Sequence, residues 1–154
     1  MKEIERKFLV NKEKWIPKTQ GTKIVQGYLS VDKERIVRVR IKGDKAFLTL
    51  KGKPKGISCT ELEYGIPVNE AQVLFDMCLD NPIEKIRYVE KIGELSWEID
   101  FFEGVNSGLV LAEVELETEN QLVQLPDWAE TEVSYDFRYF NAWLSQHPFT
   151  SWED

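Results

Sequence analysis

The stretch "EIERKFLV", residues 3–10, decides the reading of this chain. Read as a strand, it puts Glu3, Glu5 and Lys7 on one face. Ile4 and Phe8 take the other, with Arg6 between them. Successive side chains of a strand point to opposite faces, so the alternation separates a charged face from an apolar one. Such a face is either an ordinary solvated surface or a site that needs carboxylates and a cation side by side.

The pattern recurs. "RVRIK" places Arg38, Arg40 and Lys42 on one face, and "ELEY" does the same for Glu61 and Glu63. "KIRY" sets Lys85 with Arg87, and "WEIDF" sets Glu98 with Asp100. "EVELE" aligns Glu113, Glu115 and Glu117, and "LTLKG" puts Lys51 on the face of Thr49. Each set is of one sign, with little Thr, Ser, Gln or Asn diluting it. Like charges two residues apart repel unless something sits between them. A divalent metal relieves a glutamate pair, and a polyanion relieves an arginine–lysine pair. Together they describe a polyphosphate gripped by Arg and Lys, with Mg²⁺ or Mn²⁺ bridging its oxygens to carboxylates. Parity says that the two faces differ, not which one is inside.

Length and composition set the frame. A chain of 154 residues, 42% apolar, suits one domain, taken as residues 1–154, with a buried core. The net charge of −7 argues against a surface built for nucleic acid or anionic membrane. No apolar run is long enough for a membrane span, and "MKEIERK" lacks the apolar region of a signal peptide. Cys59 and Cys78 fit no zinc spacing, which points to a reducing cytoplasm. The single histidine, His147, excludes a two-histidine mechanism and leaves carboxylates to hold any hard metal ion.

The period-2 segments run over 2–10, 23–31, 34–42, 45–51, 58–66, 83–91, 94–102 and 109–117. "KGD" (42–44) and "KIGE" (91–94) read as hairpin turns, and "KGKPKG" (51–56) as a basic loop. A helix is expected over 68–80 with Asn69 as N-cap, and a helical turn over 11–18. A C-terminal amphipathic helix is expected over 134–147, with Phe137, Phe140 and Leu144 on one side. Trp15, Trp97, Trp128 and Trp143 read as packing residues, and Trp152 as part of a loose tail. The fold class is α+β, mainly β. About eight antiparallel strands can close into a barrel that encloses a ligand and leaves no edges, with the helices over its apolar faces.

These residues carry a family resemblance. "EIERK" resembles the ExExK signature of the CYTH superfamily, the triphosphate tunnel metalloenzymes. "QGYL" (26–29), "RVR" (38–40), "LTLKG" (48–52), "ELEY" (61–64), "KIRY" (85–88), "EIDFFEG" (98–104), "GLVLAEVELE" (108–117) and "VSYDFRYFN" (133–141) extend it along nearly the whole chain. The resemblance implies an eight-stranded antiparallel barrel with a charged interior, acting on triphosphates with Mg²⁺ or Mn²⁺. By motif, Glu3, Glu5, Glu113 and Glu115 are the implied metal ligands, with Glu61, Glu63 and Asp100 as further candidates. Lys7, Arg38, Arg40, Lys51, Lys85 and Arg87 are the implied phosphate cradle, and Arg138 a residue closing one mouth.

The "QGYL" form resembles inorganic tripolyphosphatases. The expected partner is a small-molecule triphosphate, with neither nucleic acid nor membrane, in a monomer or a homodimer. The general base is open between a carboxylate and a lysine. Lys85, beside Arg87, is the first choice, because crowding among cations lowers a lysine pKa. Tyr28 either hydrogen-bonds that amine or the attacking water, or is an ordinary packed aromatic. The rivals are a class IV adenylyl cyclase, a nucleoside or thiamine triphosphatase, a non-catalytic polyphosphate binder and a lipocalin-like carrier.

Overall fold

A computed structural model describes residues 1–152. Its strands are β1 (Lys2–Val10), β2 (Thr22–Asp32), β3 (Arg35–Lys42), β4 (Lys45–Gly52), β5 (Ser58–Ile66), β6 (Ile83–Ile92), β7 (Leu95–Phe102), β8 (Val110–Glu115) and β9 (Ala129–Glu132). The helices are α1 (Val68–Phe75) and α2 (Asn141–Leu144), with short 3₁₀ turns between. Every pairing is antiparallel, in the order β5-β4-β3-β2-β6-β7-β8-β1, and β1 returns to pair with β5. Eight strands therefore close into a ring, as the alternation leads one to expect.

β1 is the hinge of the closure. Its residues Lys2–Ile4 pair with β5 on one edge, and Glu5–Leu9 pair with β8 on the other. β5 leaves the second half of β1 uncovered, and β9 pairs there, Phe8 opposite Glu132 and Val10 opposite Ala129. This ninth strand has no alternation strong enough to mark it in the sequence.

Two hairpins have two-residue loops, Gly43–Asp44 and Gly93–Glu94, flanked by the pairs Lys42–Lys45 and Ile92–Leu95. Each glycine sits at positive φ, 61° and 62°, at the first loop position, where a type II′ turn requires it. Gly27 is needed for a different reason. A Cβ there would stand 2.7 Å from Cys78 Sγ, so the glycine lets the tail of α1 lie directly on β2.

The ring buries apolar side chains on its outside. Ile4 and Phe8 of β1, Trp97 and Ile99 of β7, and Ala112 and Val114 of β8 form one cluster with Trp15 and Trp128. Helices were expected over these faces, but two loops that carry the tryptophans cover this one. The helical turn expected near 11–18 is there, with the amides of Lys14 and Trp15 both donating to the carbonyl of Asn11. Helix α1 covers a second face, packing Ala71 on Val39 and Ala46.

Both expected helices are shorter than their sequence patterns. α1 ends at Phe75, not 80, and begins after Pro67, whose side chain cannot cap; Asn69 lies inside the helix. The C-terminal helix is broken. The Asp136 carboxylate accepts the backbone N–H of Arg138 and holds a 3₁₀ turn, and Phe140 is extended at φ −79°, ψ 134°. Only Asn141–Leu144 is α-helical. An aspartate that bonds the backbone two residues on competes with helix formation in this way. Leu144 is buried, but Phe137 stays exposed, so the expected apolar stripe does not form. Trp152 is not a loose tail residue. It packs edge-on against Tyr139, Trp143 and Phe149 and donates its indole N–H to the His147 carbonyl.

Candidate functional site

With the outer face apolar, the charged faces of β1 and of β3 to β8 turn inward. The charge does not run the full depth. On β1 the inward sequence is Glu3, Glu5, Lys7, Leu9, and the register sets Leu9 beside Leu111. Leu9, Tyr28, Ile83, Phe102 and Leu111 form an apolar end of the interior, packed on Val133, Tyr139, Leu144, Phe149 and Trp152. The C-terminal segment thus closes that end. Above it lies a cavity of about 350 Å³, within the size range of small-molecule sites.

Ring order sorts the charges. Around the ring, β7, β8, β1 and β5 are contiguous, and so are β4, β3, β2 and β6. The first arc lines the cavity with Glu98, Glu113, Glu115, Glu3, Glu5, Glu61 and Glu63. The second lines it with Lys51, Arg38, Arg40, Lys85 and Arg87. Lys7 is the one cavity cation of the predicted set on the acidic arc, and its Nζ lies 3.6 Å from Glu113. Acidic and basic strands interleave along the chain, and closure makes them two facing walls.

The acidic wall is short of positive charge. Glu115 sits directly opposite Glu5 in the β1–β8 register, and Glu113 opposite Glu98 in the next pair. Burial, with Glu113 and Glu3 close by, pushes the Glu5 carboxyl well above its usual range. Burial and a hydrogen bond with Glu3 raise Glu61 to about 7, so these two share a proton. Lys51 relieves them in part, reaching Glu3 at 2.9 Å and Glu61 at 3.3 Å. Burial opposes its charge, but Glu3, Glu5 and Glu61 hold it above the ordinary lysine value.

Carboxylates that retain protons when buried together are donors in want of a cation, and all are hard oxygen ligands suited to Mg²⁺ or Mn²⁺. Among the described residues no three acidic, thiol or imidazole groups already close into a metal cage. The donors fit an open site, in which water and ligand oxygens complete the coordination.

The basic wall is braced from behind. Asp100 is fully buried, with Arg87 Nε and Nη2 donating to its two oxygens at 2.7 and 2.8 Å and Lys85 Nζ at 2.8 Å. Although burial works against its charge, Lys85 and Arg87 hold the carboxyl down at about 2. Its oxygens are thus committed to cations, and it is Glu98, two residues earlier, that lines the cavity and takes Arg87 Nη1 at 3.1 Å.

Lys85 is 1% exposed. Burial, reinforced by Arg87 and Arg40, lowers it to about 7 even with Asp100 in contact. Burial and the neighbouring Arg38 and Arg87 bring Arg40 down to about 9, which leaves it cationic at neutral pH. Arg38 donates to the Thr49 hydroxyl at 3.2 Å, and that hydroxyl donates to Glu63 at 3.0 Å. The Arg38 Nε is buried with no hydrogen-bond partner among the described residues, an open donor in a cavity suited to an anion.

Two predicted residues behave differently from the rest. Arg138 does not reach the cavity: it pairs with Asp136 at 2.6 Å and lies over Tyr139 and Trp152. Tyr28 lines the cavity and accepts a hydrogen bond from Gln26 Nε2 at 3.2 Å. The sequence reading missed Gln26, Asn141 and Ser134. Gln26 receives Arg40 Nε at 2.8 Å, Asn141 receives Lys85 Nζ at 3.0 Å, and Ser134 Oγ accepts the backbone N–H of Lys7 at 2.9 Å. Gln26 alone carried a signal, as the polar residue in phase with Tyr28 on an apolar strand.

Comparison with known proteins agrees with this geometry. The CYTH domain model matches residues 1–141. An inorganic triphosphatase of Acetivibrio thermocellus is 43% identical over 154 residues, which is 99% of each chain. A crystal structure of an inorganic triphosphatase superposes with a TM-score of 0.66 at 35% identity, over 93% of both chains. A structure of an adenylate cyclase candidate from Bacillus halodurans shares the fold, with a TM-score of 0.62 at 17% identity over 77% of this chain and 83% of that one. The chain belongs to the CYTH family.

Proposed function

We propose that the chain is a metal-dependent triphosphatase that hydrolyses inorganic tripolyphosphate between the two walls of its cavity. The observation that carries this reading is the sorting of charge. A basic wall of Arg38, Arg40, Lys85 and Arg87 faces an acidic wall whose carboxylates outnumber its one lysine, Lys7. A triphosphate fits the first wall, and repels the second unless metal intervenes. The named relatives support hydrolysis of a triphosphate as the activity.

Glu3, Glu5, Glu61, Glu113 and Glu115, with Glu98 joining them, would hold Mg²⁺ or Mn²⁺. When bound, the metal neutralises phosphate oxygens and lowers the pKa of a coordinated water. The chain's own residues do the rest. Arg38, Arg40 and Lys51 grip non-reacting phosphates, and Lys7 reaches the substrate from the acidic side. Lys85 takes the proton of the attacking water, because a lysine titrating near 7 is free base in part at neutral pH. Tyr28 orients that water. Phosphoryl transfer needs positioning and charge neutralisation more than covalent help.

No described helix is long and apolar enough to cross a membrane. We place the protein in the cytoplasm, acting on a small-molecule substrate.

The test is phosphate release from tripolyphosphate, ATP and thiamine triphosphate, each with Mg²⁺, Mn²⁺ or EDTA. The expected result is fast, metal-dependent release with tripolyphosphate preferred. Conversion of ATP to cyclic AMP would move the chain to a cyclase reading. Tight tripolyphosphate binding without turnover would make it a binding protein.

A further inference from the structure

Asn141 opens α2, where an asparagine would ordinarily bond nearby backbone amides, yet its side chain caps nothing there. It reaches across to two other strands. Its amide oxygen accepts Lys85 Nζ of β6 at 3.0 Å and Gln26 Nε2 of β2 at 3.0 Å. Gln26 is fully buried, and its own carbonyl accepts Arg40 Nε at 2.8 Å. Asn141 therefore joins the C-terminal segment to the basic wall at the proposed base.

We propose that Asn141 is a positioning residue that fixes the amine of Lys85 toward the substrate, with Gln26 bracing it. This deepens the triphosphatase reading and rests on it. The Lys85 amine has two acceptors, Asp100 at 2.8 Å and Asn141 at 3.0 Å. A neutral amine donates two N–H bonds, so both are spent and its lone pair takes the remaining direction. Lys85 and Asn141 both line the cavity, so that direction is open to a water there. When the amine is protonated, the third N–H points the same way, to a phosphate oxygen.

Asp100 alone leaves the amine free to rotate about one contact, and the long side chain free to settle elsewhere. Misplacement of a reacting group by about 1 Å costs roughly a hundredfold in rate. The break at Phe140 gains a purpose here: a continuous helix over 134–147 would turn position 141 to a different direction.

A double-mutant cycle on kcat for tripolyphosphate, at saturating Mg²⁺, tests this. The set is wild type, Asn141→Ala, Lys85→Ala and the double variant, with melting curves to confirm folding. In the wild-type background Asn141→Ala is expected to lower kcat at least about tenfold with KM changed less than about threefold. In the Lys85→Ala background the same change is expected to cost less than about threefold. Asn141→Ser, too short to reach the amine, replaces Asn141→Ala throughout if the alanine variant does not fold. An equal fold-loss in both backgrounds would make Asn141 structural only, and no loss in the wild-type background would remove any role. A wild type that does not hydrolyse triphosphate would sink the triphosphatase reading instead.

Discussion

The two walls of the cavity are opposite arcs of one ring of strands, yet they hold charge in opposite ways. On the acidic wall, carboxylates outnumber their partners, and Glu5 and Glu61 are pushed up toward the neutral form. On the basic wall one carboxylate, Asp100, serves two cations and is held ionised at about 2. Two lysines make the contrast sharper. Lys51 lies among Glu3, Glu5 and Glu61 and stays protonated, whereas Lys85 lies among Arg87 and Arg40 and falls to about 7. Burial opposes charge in both, so the balance of neighbours decides which lysine is left able to accept a proton. A buried lysine is left able to accept a proton where its neighbours are cations, and stays protonated where they are carboxylates.

The largest effect should come from breaking the brace. Asp100→Asn leaves Lys85 and Arg87 buried without their shared anion. Loss of one partner of a buried ion pair costs about 3–5 kcal/mol, readable as a lower midpoint in urea unfolding. A loss under about 1 kcal/mol would mean that the basic wall stands without it. Next, Lys85→Ala is expected to lower kcat about 10²- to 10⁴-fold with a much smaller change in KM. If KM alone rose, Lys85 would only bind.

The pH profile follows from the same contrast. The Lys85 amine must be neutral to take a proton, so below about 7 the active fraction falls with each unit of pH. On going from pH 8 to pH 6, kcat/KM for tripolyphosphate should drop about tenfold. A flat profile would exclude Lys85 as base. The smallest effect belongs to Arg138, whose only ion pair among the described residues is the one with Asp136. Exposed pairs contribute about 0–1 kcal/mol, so Arg138→Ala should leave kcat and KM within about twofold. A tenfold loss would place it at the cavity after all.

Much of this was legible because strand period, turn chemistry and charge parity agreed with one another. β1 and β5 run over the residues that alternation marked, and Gly43 and Gly93 fall in the two hairpin turns. The sorting into walls was not legible, because it depends on which strands become neighbours when β1 closes on β5. Depth was hidden too: Glu98 and Asp100 share a face and a charge, and only the floor of Leu111 and Phe102 decides which one reaches the cavity. Gln26 and Asn141 lie 115 residues apart in the chain, and no local pattern joins them. The C-terminal helix failed where a local bond from Asp136 overrode an apolar periodicity.

The most direct test of the central claim, that the acidic wall holds the metal for a substrate on the basic wall, is phosphate release from tripolyphosphate by wild type and Glu5→Ala across a Mg²⁺ titration. Among the described residues Glu5 is in no ion pair, so the variant should fold and still bind tripolyphosphate. The expected result is release by the wild type that EDTA abolishes, and a loss in Glu5→Ala of at least about a hundredfold that high Mg²⁺ recovers only in part. Release that survives EDTA, or a Glu5→Ala variant as active as wild type, would contradict it.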